Sequence, residues 1–64
     1  MSSPPVTLWS NDLHRCVLYR TGRHFELVLI IEGRVMHRQT FVDENAARER
    51  CQDWVRGMGL NVDG

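Results

Sequence analysis

Read with period two, the first two-thirds of the chain carry strand patterns, the strongest of them apolar on both sides over 27–31, and the spacing then switches to one near 3.6. "VTLW" (6–9) reads as a short first strand, and "SND" (10–12) as a turn, because Ser, Asn and Asp bond their own backbone there. "HRCVLYR" (14–20) alternates and is rich in β-formers. "HFELVLII" (24–31) is the strongest strand, and "VMHRQTF" (35–41) follows after "EG". From Asp43 to Gly59 the apolar residues Ala47, Cys51, Trp54, Val55 and Met58 fall on one helical stripe. Asp43 is a good N-cap, Glu44 and Arg48 form a favourable i,i+4 pair, and Gly57 or Gly59 ends the helix. The fold class expected is α+β: an antiparallel meander of three to four strands with one C-terminal helix packed on one face.

Strand register follows from the turns. A two-residue Thr21-Gly22 hairpin pairs Leu18 with Phe25 and Cys16 with Leu27, and cross-strand partners share a face. Face A then carries Cys16, Leu18, Phe25, Leu27, Leu29 and Ile31; face B carries Arg15, Val17, Tyr19, His24, Glu26, Val28 and Ile30. The second turn has two solutions. A Glu32-Gly33 loop sends Phe41 to face B. A three-residue Ile31-Glu32-Gly33 loop, with Gly33 left-handed, sends Val35, His37, Gln39 and Phe41 to face A and sets Glu26 opposite Arg38. The charge pair favours the second. The expected core is Cys16, Leu18, Phe25, Leu27, Leu29, Phe41, Ala47, Cys51, Trp54 and Val55, with Trp54 on Phe25 and Leu27.

One helix covers one face, so the apolar positions of face B need another explanation. Val17, Tyr19, Val28, Ile30 and Met36 make an apolar centre ringed by Arg15, Arg34, Arg38, His24 and Glu26. That is the anatomy of a protein interface. It points to self-association, most simply a homodimer, or to another protein partner. The competing explanation is internal: the N-terminal segment folds over face B with Trp9 as a lid.

Length sharpens this. A 64-residue chain makes one domain, and domains this small bury only about 60% of their unfolded surface. A partner over the second face adds burial that the core alone lacks. The composition, 42% apolar and 25% charged, is ordinary for a globular domain. Residues 1–5 and 61–64 are expected to fray, and Leu60 to tuck back on the helix. "MSSPP" is not a signal peptide and no apolar run is long enough to span a bilayer, so a soluble, cytoplasmic protein with no membrane partner is expected.

Charge is balanced, eight acids against eight arginines with no lysine. Residues 13–41 carry five Arg against Glu26 and Glu32, whereas residues 42–64 carry three Arg against five acids. The strand half is therefore mildly basic. This opens a nucleic-acid alternative in which Arg15, Arg34 and Arg38 meet phosphates and Tyr19 stacks on a base. Two strands followed by Phe41, Ala47 and Trp54 form a layout loosely similar to the sheet-reading DNA-binding domains at the N-terminus of phage-type integrases. The similarity covers residues 14–56 and rests on common core positions, and the lysines usual in such domains are missing here. Zero net charge argues against strong generic affinity for nucleic acid.

Catalytic and metal chemistry find little support. His14 and His37 belong to face A and His24 to face B, and there is no HxH, CxxC or HExxH spacing. Cys16 and Cys51 point into one core, where reduced, buried thiols are the default of a cytosolic chain. No enzyme activity, cofactor or metal is expected.

Overall fold

A computed structural model describes residues 4–59; the expectations for residues 1–3 and 60–64 lie outside that range. Four strands, β1 (Val6–Ser10), β2 (His14–Thr21), β3 (His24–Ile31) and β4 (Arg34–Phe41), pair in sequence order as an antiparallel sheet, and α1 (Glu44–Gly57) follows. The architecture is the α+β meander with one C-terminal helix. No helix among the described residues is long and apolar enough to cross a membrane.

Each turn is built from the residues that tolerate it. Between β1 and β2, the Asn11 Oδ1 accepts from the backbone N–H of Leu13 (2.9 Å) and of His14 (2.7 Å), while the Asn11 N–H donates to the His14 carbonyl. An Asn side chain here takes the place of a backbone turn. The β2–β3 turn is Gly22-Arg23, not Thr21-Gly22. Gly22 occupies the first central position at φ +64°, and Arg23 keeps a negative φ, as a type II′ turn requires. Leu18 therefore faces Leu27 and Cys16 faces Leu29. The shift from the expected pairing is two residues, and an even slip leaves every side chain on its face.

The β3–β4 turn combines both expected solutions. It is a two-residue turn, with Glu32 at φ +51° and Gly33 at φ +80°, the type I′ signature. Ile31 faces Arg34 and Ile30 faces Val35, but Leu29 then faces His37. Met36 is the extra residue of a β-bulge, which restores the alternation. His37, Gln39 and Phe41 reach face A opposite Leu29, Leu27 and Phe25. Val35 does not: it lies on face B across from Ile30. Glu26 faces Thr40 rather than Arg38, yet the charge pair forms on the diagonal, with Arg38 Nε 3.8 Å from Glu26 Oε2.

β1 settles the lid question for the described residues. Val6 faces Leu18 and Trp9 faces Cys16, with a bulge at Leu8 between them. Val6 and Trp9 thus stand on face A, and Leu8 and Trp9 pack against the core beside Phe25, Phe41 and Trp54. Trp9 does not cover face B. The bulge explains the error, because strict alternation from Thr7 would have kept Trp9 on the other side.

The core lies between face A and α1. Cys16, Leu18 and Leu27 from the sheet meet Ala47, Cys51 and Val55 from the helix. Asp43 caps the helix, its Oδ1 accepting from the Asn45 N–H at 3.3 Å, and Glu44 Oε2 accepts from Arg48 Nε at 2.8 Å. At the other end Gly59, at φ +75°, donates to the Arg56 carbonyl at 2.9 Å, the left-handed exit that glycine permits.

Candidate functional site

Face B is the broad surface that α1 leaves open. Pairing places Thr7 and Ser10 of β1, Arg15, Val17 and Tyr19 of β2, Glu26, Val28 and Ile30 of β3, and Val35 and Arg38 of β4 on it. No element among the described residues lies over it. Of the expected interface, Val17, Tyr19, Val28 and Ile30 are brought together. Val17 and Val28 face each other at the centre and are only 5% and 3% exposed. The apolar area still available on this face therefore lies with half-buried Tyr19 and Ile30 and with Val35 at 52% exposure.

Met36 is not part of that set. The two-residue Glu32-Gly33 turn sets Val35 beside Ile30, and Met36, the bulge residue after it, lines a groove with Leu29, Ile31 and His37 on the side of face A. The basic set divides in the same way. Arg15 and Arg38 are on face B, whereas Arg34 sits opposite Ile31, on the parity of face A. Arg38 also has Glu26 beside it. Tyr19 thus keeps two of the three expected arginines on its face, and one of those is already paired. The turn decides this: the two-residue Glu32-Gly33 solution pairs Ile31 with Arg34, whereas the favoured three-residue loop sends Arg34 to face B.

The groove at the C-terminal end of α1 escaped the sequence reading. It has a volume of about 350 Å3 and is lined by Leu29, Ile31, Met36 and His37 of the sheet and by Asp53, Trp54, Gly57 and Met58 of the helix end. It lies beside the core that α1 closes over Cys16, Leu18 and Leu27, where the last turn of the helix meets β3 and β4. The one signal available was the apolar run continuing to Ile31, beyond the reach of the helical stripe.

The two thiols meet across the core. Cys16 on β2 and Cys51 on α1 are both free and buried. Cys16 is pushed well above its ordinary value of 9.0, because its S–H donates to Cys51, because it is buried, and because charge on Cys51 opposes its own ionisation. Cys51 is lowered, first by that hydrogen bond, against its burial and with help from Arg48. The pair shares one proton comfortably and resists losing the second. The histidines stay apart in role: His14 Nδ1 lies 3.1 Å from Asn11 Oδ1, His37 stacks on Trp54, and His24 is exposed beside the β2–β3 turn.

Comparison with known proteins returns no match to a family model, a curated protein or a solved structure.

Proposed function

We propose that the chain is a small, non-enzymatic binding and assembly module that self-associates through the sheet face opposite its helix. The observation that carries this reading is the placement of Val17, Tyr19, Val28, Ile30 and Val35 on one face over which no described element lies. A two-fold axis sets this strip against itself, so one set of apolar residues serves both copies. Arg15 and Arg38 at the edges meet acids such as Glu26 of the second copy and set the register.

Size fixes the expected strength. Three eight-residue strands span roughly 26 Å by 14 Å, a footprint short of the ~800 Å2 per partner of a standard interface. With Val17 and Val28 already shielded, the dimer belongs to the weak, concentration-dependent class. The test is light scattering coupled to size exclusion over a range of concentrations. Wild type is expected to rise from monomer toward dimer mass. Tyr19→Glu and Ile30→Glu, at half-buried positions that tolerate a charge in the monomer, are expected to stay monomeric while keeping a native amide spectrum. A wild type that remains monomeric at the highest concentration, or charged variants that dimerise equally well, overturns the reading.

A further inference from the structure

We propose that β4 is a docking edge for an extended segment alternating apolar and acidic residues. Its apolar side chains enter the groove beside Trp54, and its acids lie beside Arg38. This surface shares Arg38 with the rim of face B but does not depend on self-association.

Four observations converge on it. First, β4 is an edge of the sheet, eight residues long, and exposed from Arg34 to Thr40. No described segment pairs with its outer side. Beyond the bulge at Met36, His37–Phe41 is regular strand, about 17 Å of backbone donors and acceptors. The opposite edge, β1, is five residues long and interrupted at Leu8. An added strand on β4 gains main-chain hydrogen bonds and places alternate side chains in neighbouring pockets.

Second, such a pocket lies beside β4. The groove is walled by Met36 and His37 of β4 itself and by Asp53, Trp54 and Met58 of α1, so an apolar side chain is what enters it and a partner's acids must lie on the other face, away from Asp53. Its volume, about 350 Å3, is at the small end of ligand sites and suits one or two aliphatic side chains. Methionine walls adapt to the shape of what enters.

Third, the two faces of β4 differ, and a fifth strand must follow the same alternation. His37, Gln39 and Phe41 share the groove's face, whereas Arg38 and Thr40 share face B. A strand alternating apolar and acidic residues matches both at once.

Fourth, charge selects the occupant. β4 carries Arg34, His37 and Arg38 and no acid. Arg38 is 62% exposed in its side chain and holds Glu26 only at 3.8 Å, so a second carboxylate can join it. A second copy of β4 is a poorer occupant, because a strand without an acid offers Arg34 and Arg38 no carboxylate in any antiparallel register. The partner is therefore an acidic, extended segment of another chain.

The experiment titrates labelled protein with the capped peptide Glu-Leu-Glu-Val-Glu-Leu-Glu and, in parallel, its counterpart with Lys in place of every Glu, following amide and indole NMR signals. The acidic peptide is expected to shift His37–Phe41 and the Trp54 indole and to bind more weakly as salt rises. Arg38→Glu, at an exposed position, is expected to weaken the acidic peptide at least about tenfold and to favour the lysine peptide. No shifts at millimolar peptide, shifts confined to β1 and β2, equal response to both peptides, or unchanged affinity in Arg38→Glu overturns the proposal. A single-stranded oligonucleotide shifting the same residues as strongly would also overturn it, by showing a general anion site. Mass by light scattering, read separately, reports on self-association alone.

Discussion

His37 lies nearly flat against Trp54, with ring centroids 5.4 Å apart and planes 29° from parallel. The contact fastens the last turn of α1 to β4, and it exists because the Met36 bulge brings His37 to the helix side. Trp54 also borders Leu29, so its partners lie further toward the β3–β4 end than Phe25. A fully buried aromatic cut to Ala costs about 3–5 kcal/mol. Trp54 is half-buried, and Trp54→Ala is expected to cost about 2–3 kcal/mol, a drop in Tm of roughly 10–20 °C for so small a domain. His37→Ala should cost about 1 kcal/mol, and the double variant should show positive coupling. Thermal melts of the three variants check this; additive effects would show that the stack contributes nothing of its own.

Glu32 stands at φ +51° beside Gly33 in the type I′ turn. A β-branched or long side chain resists that conformation, whereas Asn adopts it readily, and Asn-Gly is the strongest pair for this turn. Glu32 is exposed, and its N–H donates to the Leu13 carbonyl at 2.8 Å, a bond that any non-proline residue keeps. Glu32→Asn is expected to stabilise the domain by about 0.5–1 kcal/mol, raising Tm by several degrees. A lower Tm would mean that the Glu32 carboxylate makes a contribution larger than the backbone strain.

The sheet, helix and core were legible because they rest on periodicity. The helix stripe of Ala47, Cys51, Val55 and the sheet residues Cys16, Leu18 and Leu27 form the core that alternation and 3.6-residue spacing indicate. Even the misplaced first turn did no harm, since a two-residue slip preserves the faces. What alternation cannot express is an extra residue. The bulge at Leu8 decided which way Trp9 points and the bulge at Met36 brought His37 to the helix side, whereas Val35 and Met36 follow from the two-residue Glu32-Gly33 turn. A bulge leaves no mark in local composition here: neither site carries glycine. The groove was hidden for the related reason that its walls come from β3, β4 and α1 together.

The division of the arginines bears on the nucleic-acid alternative. Arg15 and Arg38 share face B with Tyr19, and Arg34 is on the other parity. Two phosphate contacts, one competing with Glu26, supply little counterion release. Titration of labelled single- and double-stranded oligonucleotides at low salt is expected to give no binding tighter than about 10⁻⁴ M. Micromolar binding with a steep salt slope, lost in the Arg15, Arg34 and Arg38→Ala triple variant, would instead make face B a nucleic-acid surface.

The Cys16–Cys51 pair gives the fold an alkaline limit. Cys16 is neutral in both states below its ordinary value of 9.0. Above it, the unfolded chain releases this proton and the folded chain keeps it, so the folded state binds more protons and stability falls with rising pH. Cys51 works in the opposite direction, because its lowered value means the folded chain sheds that proton first. Its contribution therefore grows only up to 9.0, and above that value Cys51 is ionised in both states and adds no slope. What remains is Cys16, with a limiting slope of about 1.4 kcal/mol per pH unit. Removing Cys16 alone would leave Cys51 buried without its hydrogen bond, and burial would then raise it, so the comparison uses the double variant Cys16→Ala/Cys51→Ala in urea melts on either side of 9.0. Wild type is expected to lose stability more steeply than the double variant on the alkaline side, although the variant starts lower because it leaves a small cavity in the core. Parallel pH profiles would mean that the thiols ionise in the folded core as easily as in the open chain, and that the contact between them carries no protonic consequence.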